Sequence, residues 1–217
     1  MTQPEAKYIP ALKYDWLTAL YDPVLRFTMA EQKFKSALIT QAGIGEAHRV
    51  LDFGVGTATL SLFAKQLAPQ SKIIGVDVDD KIIRIAREKI KSAGAEIDIN
   101  RYDGINLPYP SDYFDRVISS LVFHHLTSRQ KEHSLKEIRR VLKPGGELHI
   151  ADWGKAQNTL MRLSFFLIQI LDGFETTTAN VKGLLPEYIR GAGFADVRET
   201  RQFSTMFGTL SLYRAMK

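Results

Sequence analysis

Between Arg49 and Trp153, short runs of β-branched residues alternate with longer stretches whose apolar positions recur at helical spacing. Arg49–Phe53 (RVLDF) predicts a strand, Thr57–Leu67 a helix and Lys72–Val76 (KIIGV) a second strand. In Asp80–Ala93 the residues Ile82, Ile83, Ile85, Ala86 and Ile90 follow a helical period. Asp79 or Asp80 suits its N-cap and Gly94 its stop. Glu96–Asn100 and Phe114–Ser120 (FDRVISS) predict strands three and four. Ser128–Leu142 predicts a helix closed by Lys143-Pro144-Gly145-Gly146, and Glu147–Ala151 (ELHIA) a fifth strand. Such alternation implies a parallel sheet covered on both faces, with right-handed crossovers.

The end of the chain breaks this rhythm. Helices are expected over Asn158–Leu171 and Leu184–Ala192, with a loop over Gly173–Gly183 between them. Two strand-like stretches follow, Phe194–Phe203 and Thr205–Tyr213. So short a connection makes them a hairpin, and hairpins are antiparallel. The expected fold is therefore α/β, a Rossmann-like doubly wound sheet of seven strands. It is mostly parallel, carries an antiparallel C-terminal hairpin and has helices on both faces. The first 45 residues hold two further helical stretches rich in Tyr, Phe and Leu, expected beside or over the ligand edge of the sheet.

Composition adds three constraints. At 217 residues with 45% hydrophobic side chains, the chain can form one domain with a core that needs no covalent staple. It has no cysteine, which excludes disulfides, thiolate-ligated metals and thiolate nucleophiles. Its net charge is +5, but basic and acidic residues number five and five over 1–47, sixteen and fourteen over 48–154, and eight and five over 155–217. Without a polybasic run, the surplus reads as surface background and argues against a nucleic-acid partner. The opening, Met1–Tyr14, lacks the apolar centre of a signal peptide. Leu163–Leu171 (LSFFLIQIL) is about half of the ~20 residues that cross a bilayer. A cytoplasmic protein without a transmembrane span is expected, with membrane-surface association left open and a monomer or homodimer as its state.

The first strand runs into Asp52-Phe53-Gly54-Val55-Gly56-Thr57-Ala58, a glycine turn that can bring backbone N–H groups close to a ligand. Asp77, at the end of the second strand, suits both hydroxyls of a ribose. Those features alone also fit a dinucleotide enzyme, or a turn that only joins strand to helix. Asp103-Gly104 follows the third strand, where a carboxylate can accept from an exocyclic amine of adenine. Leu107-Pro108-Tyr109-Pro110 leads to Phe114-Asp115, and Lys143-Pro144-Gly145-Gly146 precedes the fifth strand.

In that order, over roughly Arg49 to Trp153, these motifs resemble the class I S-adenosylmethionine-dependent methyltransferases. They look most like the branch of ubiquinone/menaquinone-biosynthesis enzymes and their small-molecule relatives. The resemblance implies S-adenosyl-L-methionine as cofactor and a small organic methyl acceptor. It implies that Asp52, Gly54 and Gly56 underlie the methionine part, Asp77 holds the ribose and Val78 lines the adenine. Asp103 and Gly104 would meet the adenine edge, and Ser120 and Leu121 would approach the methionine and the transferred methyl. The departure is Ala58, where many members carry a third glycine. The implied organisation is one domain: an N-terminal helical cap (1–45), a cofactor-binding core (46–154), acceptor-site helices (155–192) and the hairpin (193–217).

A sulfonium methyl is already activated, so the protein chiefly aligns a nucleophile with it, and a base is needed only for an acceptor that loses a proton. His124 and His125 follow strand four at the ligand edge and suit a general base or a substrate contact, or else simple packing. His133 and His149 read as structural, and no histidine pair has helical metal-ligand spacing. Tyr14-Asp15-Trp16 and Tyr21-Asp22-Pro23 resemble the branch's tyrosine-rich opening. This makes Tyr14, Tyr21 and Asp22 substrate candidates, or caps of a helix starting near Pro23. The apolar helix Asn158–Leu171 serves either as core and dimer interface or as a wall for a hydrophobic methyl acceptor.

Three alternatives stand beside the small-molecule reading. An RNA, DNA or protein methyltransferase is one, but Ser119-Ser120-Leu121-Val122-Phe123 lacks the Asn/Asp-Pro-Pro-aromatic signature of base-amine enzymes. A nicotinamide-dependent oxidoreductase explains the glycines and Asp77 but not Asp103, Lys143-Pro144-Gly145-Gly146 or the hairpin. A non-catalytic cofactor-binding module is the third, and the motifs carry no sign of decay.

Overall fold

A computed structural model describes residues 31–157, 161, 174–205 and 208–217. Tyr14, Tyr21, Asp22, most of the N-terminal cap and nearly all of the helix expected over Asn158–Leu171 lie outside the described residues. The described elements are α1 (Glu31–Ala42), β1 (Arg49–Phe53), α2 (Thr59–Leu67), β2 (Lys72–Asp77), α3 (Asp80–Ser92), β3 (Asp98–Arg101) and β4 (Phe114–Ser120). A 3-10 turn (Phe123–His125) follows, then α4 (Ser128–Val141), β5 (Leu142–Trp153), α5 (Phe174–Val181), α6 (Leu185–Gly191), β6 (Ala195–Ser204) and β7 (Thr209–Met216).

The seven strands form one sheet in the order β3-β2-β1-β4-β5-β7-β6. Strands β1 to β5 pair in parallel, while β7 is antiparallel to both β5 and β6. The expected mostly parallel sheet with a terminal hairpin is therefore present. Alternate residues of each central strand face opposite sides. Leu51, Phe53, Val117, Leu148 and Ile150 pack with Leu135 and Ile138 of α4 and with Leu185 and Ile189 of α6. Val50, Ile73, Ile118, Ala151 and Leu212 meet Phe34 and Leu38 of α1 and Leu60 and Ala64 of α2. Both faces are thus dry, which is why the central strands read as near-continuous apolar runs. The edge strand β6 is largely exposed and carries Arg198, Glu199 and Arg201, side chains that discourage pairing with another sheet.

Several boundaries differ from the sequence expectation for identifiable reasons. Helix α2 begins at Thr59, not Thr57, because Ala58 holds a left-handed backbone (φ 59°) that no helix accommodates. Strand β5 begins at Leu142, not Glu147. Phe114 pairs with Leu142 and Arg116 with Glu147, so Lys143-Pro144-Gly145-Gly146 is an irregularity inside the strand rather than a separate turn. The loop expected over Gly173–Gly183 is instead largely the helix α5. Its Thr-rich sequence is a weak helix former, but Thr176, Thr177 and Asn180 are buried and tertiary packing decides.

From the neighbouring strands β1 and β4, the chain leaves toward opposite sides of the sheet. This is the switch point at which open α/β sheets hold ligands beyond the carboxyl ends of their strands.

Candidate active site

The carboxyl ends of β1 and β2 build one side of this crevice. Gly54 and Val55 both donate to the carbonyl of Val76 at 3.0 Å, folding the glycine turn over β2. Gly54 has φ 69°, and a Cβ there would lie 2.5 Å from Cγ2 of Val122, so glycine is required twice over. Gly56 differs: at φ 53° its added Cβ would meet nothing within 4 Å. Its N–H donates to Oδ2 of Asp77 at 3.0 Å. Oδ1 of Asp77 accepts from Val78 N (2.8 Å) and Asp79 N (3.1 Å). Three of its ~four lone-pair directions are thus occupied, so the expectation that it serves both ribose hydroxyls narrows to about one unshared direction. Burial raises the Asp77 pKa against the lowering pull of those N–H groups.

Asp52 is buried and accepts from the Ser61 hydroxyl of α2 at 2.6 Å. Burial pushes its carboxyl up to about 6, despite the Ser61 bond and the Lys35 charge. Val78 lies against the third candidate pair, since a Cβ on Gly104 (φ 80°) would sit 3.5 Å from its Cγ1. Asp103 is exposed, and its Oδ1 accepts from Ile105 N and Asn106 N, both at 2.8 Å. Burial acts upward on Asp103, but those two donors prevail and hold it below the usual carboxylate value.

The other side of the crevice is the end of β4. The Ser120 hydroxyl is buried without a hydrogen-bond partner. Leu121 adopts φ 59° and donates its N–H to Ala151 O at 2.8 Å, so β4 turns sharply away from the sheet. That turn delivers Phe123, His124 and His125. Nδ1 of His124 lies 2.9 Å from Oδ1 of Asp152 on β5. Oδ2 of the same carboxylate accepts from Phe123 N (2.7 Å) and His124 N (3.3 Å), and Oδ1 also accepts from Trp153 N (2.7 Å). A carboxylate partner assigns the imidazole its Nδ1–H tautomer and leaves Nε2 as the basic nitrogen. The half-buried His125 lies tilted against His124, with ring centroids 3.9 Å and planes 43° apart. Burial, then the His124 and Lys131 charges, drive its pKa well below the ordinary value, so it is neutral at pH 7.

The remaining histidines have other partners, and His48 Nδ1 accepts from Gly45 N at 3.0 Å. His133 meets the Ile105 carbonyl at 2.9 Å, and His149 is buried between Gln41 and Glu147, its pKa pushed down to about 4 by burial.

Asp152, Asn180 and Lys131 lie outside the site residues expected from the sequence. Asp152 carried a usable signal: an acid at the carboxyl end of an apolar strand run, as in Asp52 and Asp77. Asn180 donates from Nδ2 to Oδ1 of Asp152 at 3.2 Å and to Trp153 O at 3.4 Å. The fully buried Lys131 ammonium bonds the carbonyls of Leu126 and of Thr176, the latter at 2.7 Å. Neither has a sequence signal, because their roles depend on where α5 docks.

A family model described as a methyltransferase domain matches residues 50–146. The ubiquinone/menaquinone biosynthesis C-methyltransferase UbiE of Cupriavidus taiwanensis is 33% identical over 128 residues, 58% of this chain and 52% of that protein. The enzyme of the same name from Nitrosospira multiformis is 30% identical over 162 residues, 72% of this chain and 66% of that one. The chain therefore spans about half the length of the first of these curated relatives. Among solved structures, a SAM-dependent methyltransferase from Aquifex aeolicus superposes with TM-score 0.62 at 21% identity, covering 94% of this chain and 99% of its own. The [4+2]-cyclase SpnF superposes with TM-score 0.69 at 19% identity, covering 85% and 80%. At these identities the structural likeness shows the fold alone.

Proposed function

This chain belongs to the class I S-adenosylmethionine-dependent methyltransferase family, and from that premise we propose that it transfers a methyl group directly to a small, hydrophobic organic acceptor. The observation that carries the donor is the 3.0 Å bond from Gly56 N–H to Asp77. It joins the glycine turn and the ribose acid into one cradle, with open space where a side chain at Gly56 would stand. The buried, unpartnered Ser120 hydroxyl at the facing strand end also fits a bound polar ligand.

When bound, S-adenosyl-L-methionine supplies a sulfonium methyl that passes straight to a nucleophile. This chain's residues have five tasks. Asp77 receives a ribose hydroxyl while fixing the turn that bears Gly56. Val78 and Gly104 would hold the adenine, and Asp103, whose Oδ1 is taken by Ile105 N and Asn106 N, would accept from its amine through Oδ2. Asp52, anchored by Ser61, offers a buried negative charge to the cofactor's amino end, which repays ionisation in a dry site. His124, held by Asp152 with Nε2 basic, takes the proton that an O–H or C–H methyl acceptor must shed. His125, neutral and beside it, contacts the same ligand. A positioned general base is worth about 10²–10⁴ in rate, while alignment supplies the larger share.

The acceptor class rests on two supports. The curated relatives are named for ubiquinone and menaquinone biosynthesis, and Trp153 borders His124 with ring centroids 6.5 Å apart. Calorimetry tests the donor: S-adenosylmethionine and its demethylated product are expected to bind, and binding of NAD in their place would overturn the assignment. Labelled-methyl transfer to a quinol, phenol, amine and lipid panel tests the acceptor, with quinols or phenols expected to carry the label.

A further inference from the structure

Asn180 is fully buried on α5, and its side-chain amide has only one workable orientation. Nδ2 faces the Asp152 carboxylate and the Trp153 carbonyl, two groups that only accept hydrogen bonds. Turning the amide would set oxygen against oxygen. Its Oδ1 therefore points away from Asp152, and it is buried with no donor to meet it. Native proteins rarely leave such an acceptor unpaired, so each one requires an explanation.

Its surroundings supply one. Asn180 and His124 share the same oxygen of Asp152, which puts the orphan acceptor beside the proposed base. The helix that carries it is fixed from a second point. Lys131 ties Thr176 of α5 to Leu126, the residue that follows the histidine turn. Asn180 is thus held rigidly at the carboxyl edge of the sheet, where a ligand group need not pay to organise it.

The geometry points to Asn180 as a recognition residue for the methyl acceptor, its Oδ1 receiving an O–H or N–H of that molecule next to the His124–Asp152 pair. This rests on the methyl-transfer reading of the crevice and goes beyond it by demanding a hydrogen-bond donor on the acceptor. A hydroxylated ring meets the demand, and a fully alkylated or aprotic ring does not. Sites built around a buried polar group reject ligands that lack its partner more strongly than apolar pockets reject size changes.

Phenol and anisole separate the two cases, because they share a ring and differ in the donor. Each is titrated into the full chain saturated with S-adenosylhomocysteine, and the Asn180 side-chain amide is followed by NMR. Phenol is expected to bind at least tenfold more tightly and to move the amide resonance, which anisole leaves in place. In Asn180→Leu the ratio should fall to about one with S-adenosylhomocysteine affinity unchanged. The amide shift in the unmodified protein needs no variant, so a poorly folded Asn180→Leu leaves the proposal decidable. Equal affinities in the unmodified protein, as when Oδ1 merely holds a water, overturn it. So does a preference that survives Asn180→Leu. Failure of the methyl-transfer reading looks different: the phenol preference persists while no labelled methyl reaches any panel member.

Discussion

His124 and Asp152 stand 28 residues apart in the chain and meet through a 2.9 Å hydrogen bond at the carboxyl edge of the sheet. The same carboxylate fixes the backbone of the histidine turn through Phe123 N and His124 N. Orientation of the ring and of the turn therefore depend on one side chain.

Asp152→Asn keeps the shape but removes the charge that specifies the Nδ1–H tautomer. Single-turnover methyl transfer is expected to slow by about 10²–10⁴, with cofactor affinity unchanged in calorimetry. His124→Ala should cost a similar factor. The double variant should cost no more than either alone, because the two act as a unit. Additive losses would separate them.

Asp77→Ala removes the charged partner proposed for the cofactor and leaves Gly56 N–H without its carboxylate. Charge-assisted bonds are worth about 1.5–3 kcal/mol, so the Kd for S-adenosylhomocysteine should rise by roughly 10- to 150-fold. Calorimetry reads this directly, and an unchanged Kd removes Asp77 from the site.

Asp52 gives the free protein and the complex opposite responses to pH. Its native carboxyl is near 6 against an ordinary 3.8, so between those values the native state holds a proton that the unfolded chain has lost. Stability of the free protein should fall as pH rises through that window, by about 3 kcal/mol at 1.36 kcal/mol per unit, with the cost fully present above 6. Affinity for the cofactor's cationic amine should rise across the same range. Thermal melts and calorimetry from pH 4 to 7 check both, and Asp52→Asn should flatten both.

Gly54 and Gly56 sit two residues apart and should fail differently. Gly54→Ala drives a methyl to within 2.5 Å of Val122 and should lower the melting temperature the more. Gly56→Ala meets open space. It should cost only the ~1–2 kcal/mol of left-handed backbone while weakening cofactor binding more than tenfold. Melting curves and Kd values for the pair give the comparison.

The side of the crevice proposed to hold the cofactor is legible in the sequence because its residues are local. Asp52 through Ala58, Asp77-Val78 and Asp103-Gly104 each sit at the end of a strand whose apolar run marks it. Chemistry at strand ends inherits that clarity. Even there the chain hid a detail: Ala58 stands where a third glycine is common, and the structure holds it at φ 59°, so the glycine's service would be conformational as well as steric. Strand β5 is longer than its apolar run implies, because the helix-stopping Lys143-Pro144-Gly145-Gly146 lies within a strand irregularity that only pairing with β4 reveals.

By itself, then, the sequence determined the alternating layers, the terminal hairpin, the glycine turn and the acids at the strand ends. Each is written in a period, a spacing or a breaker within a dozen or so residues. Only the tertiary structure decided that His124 leans on Asp152, that Asn180 shares that carboxylate with its own oxygen unpaired, and that Lys131 ties α5 to the histidine turn. Those partners lie 28 to 45 residues apart. They are joined by sheet order and helix docking, and a buried polar group finds its partner through space, where no local pattern of the chain records it.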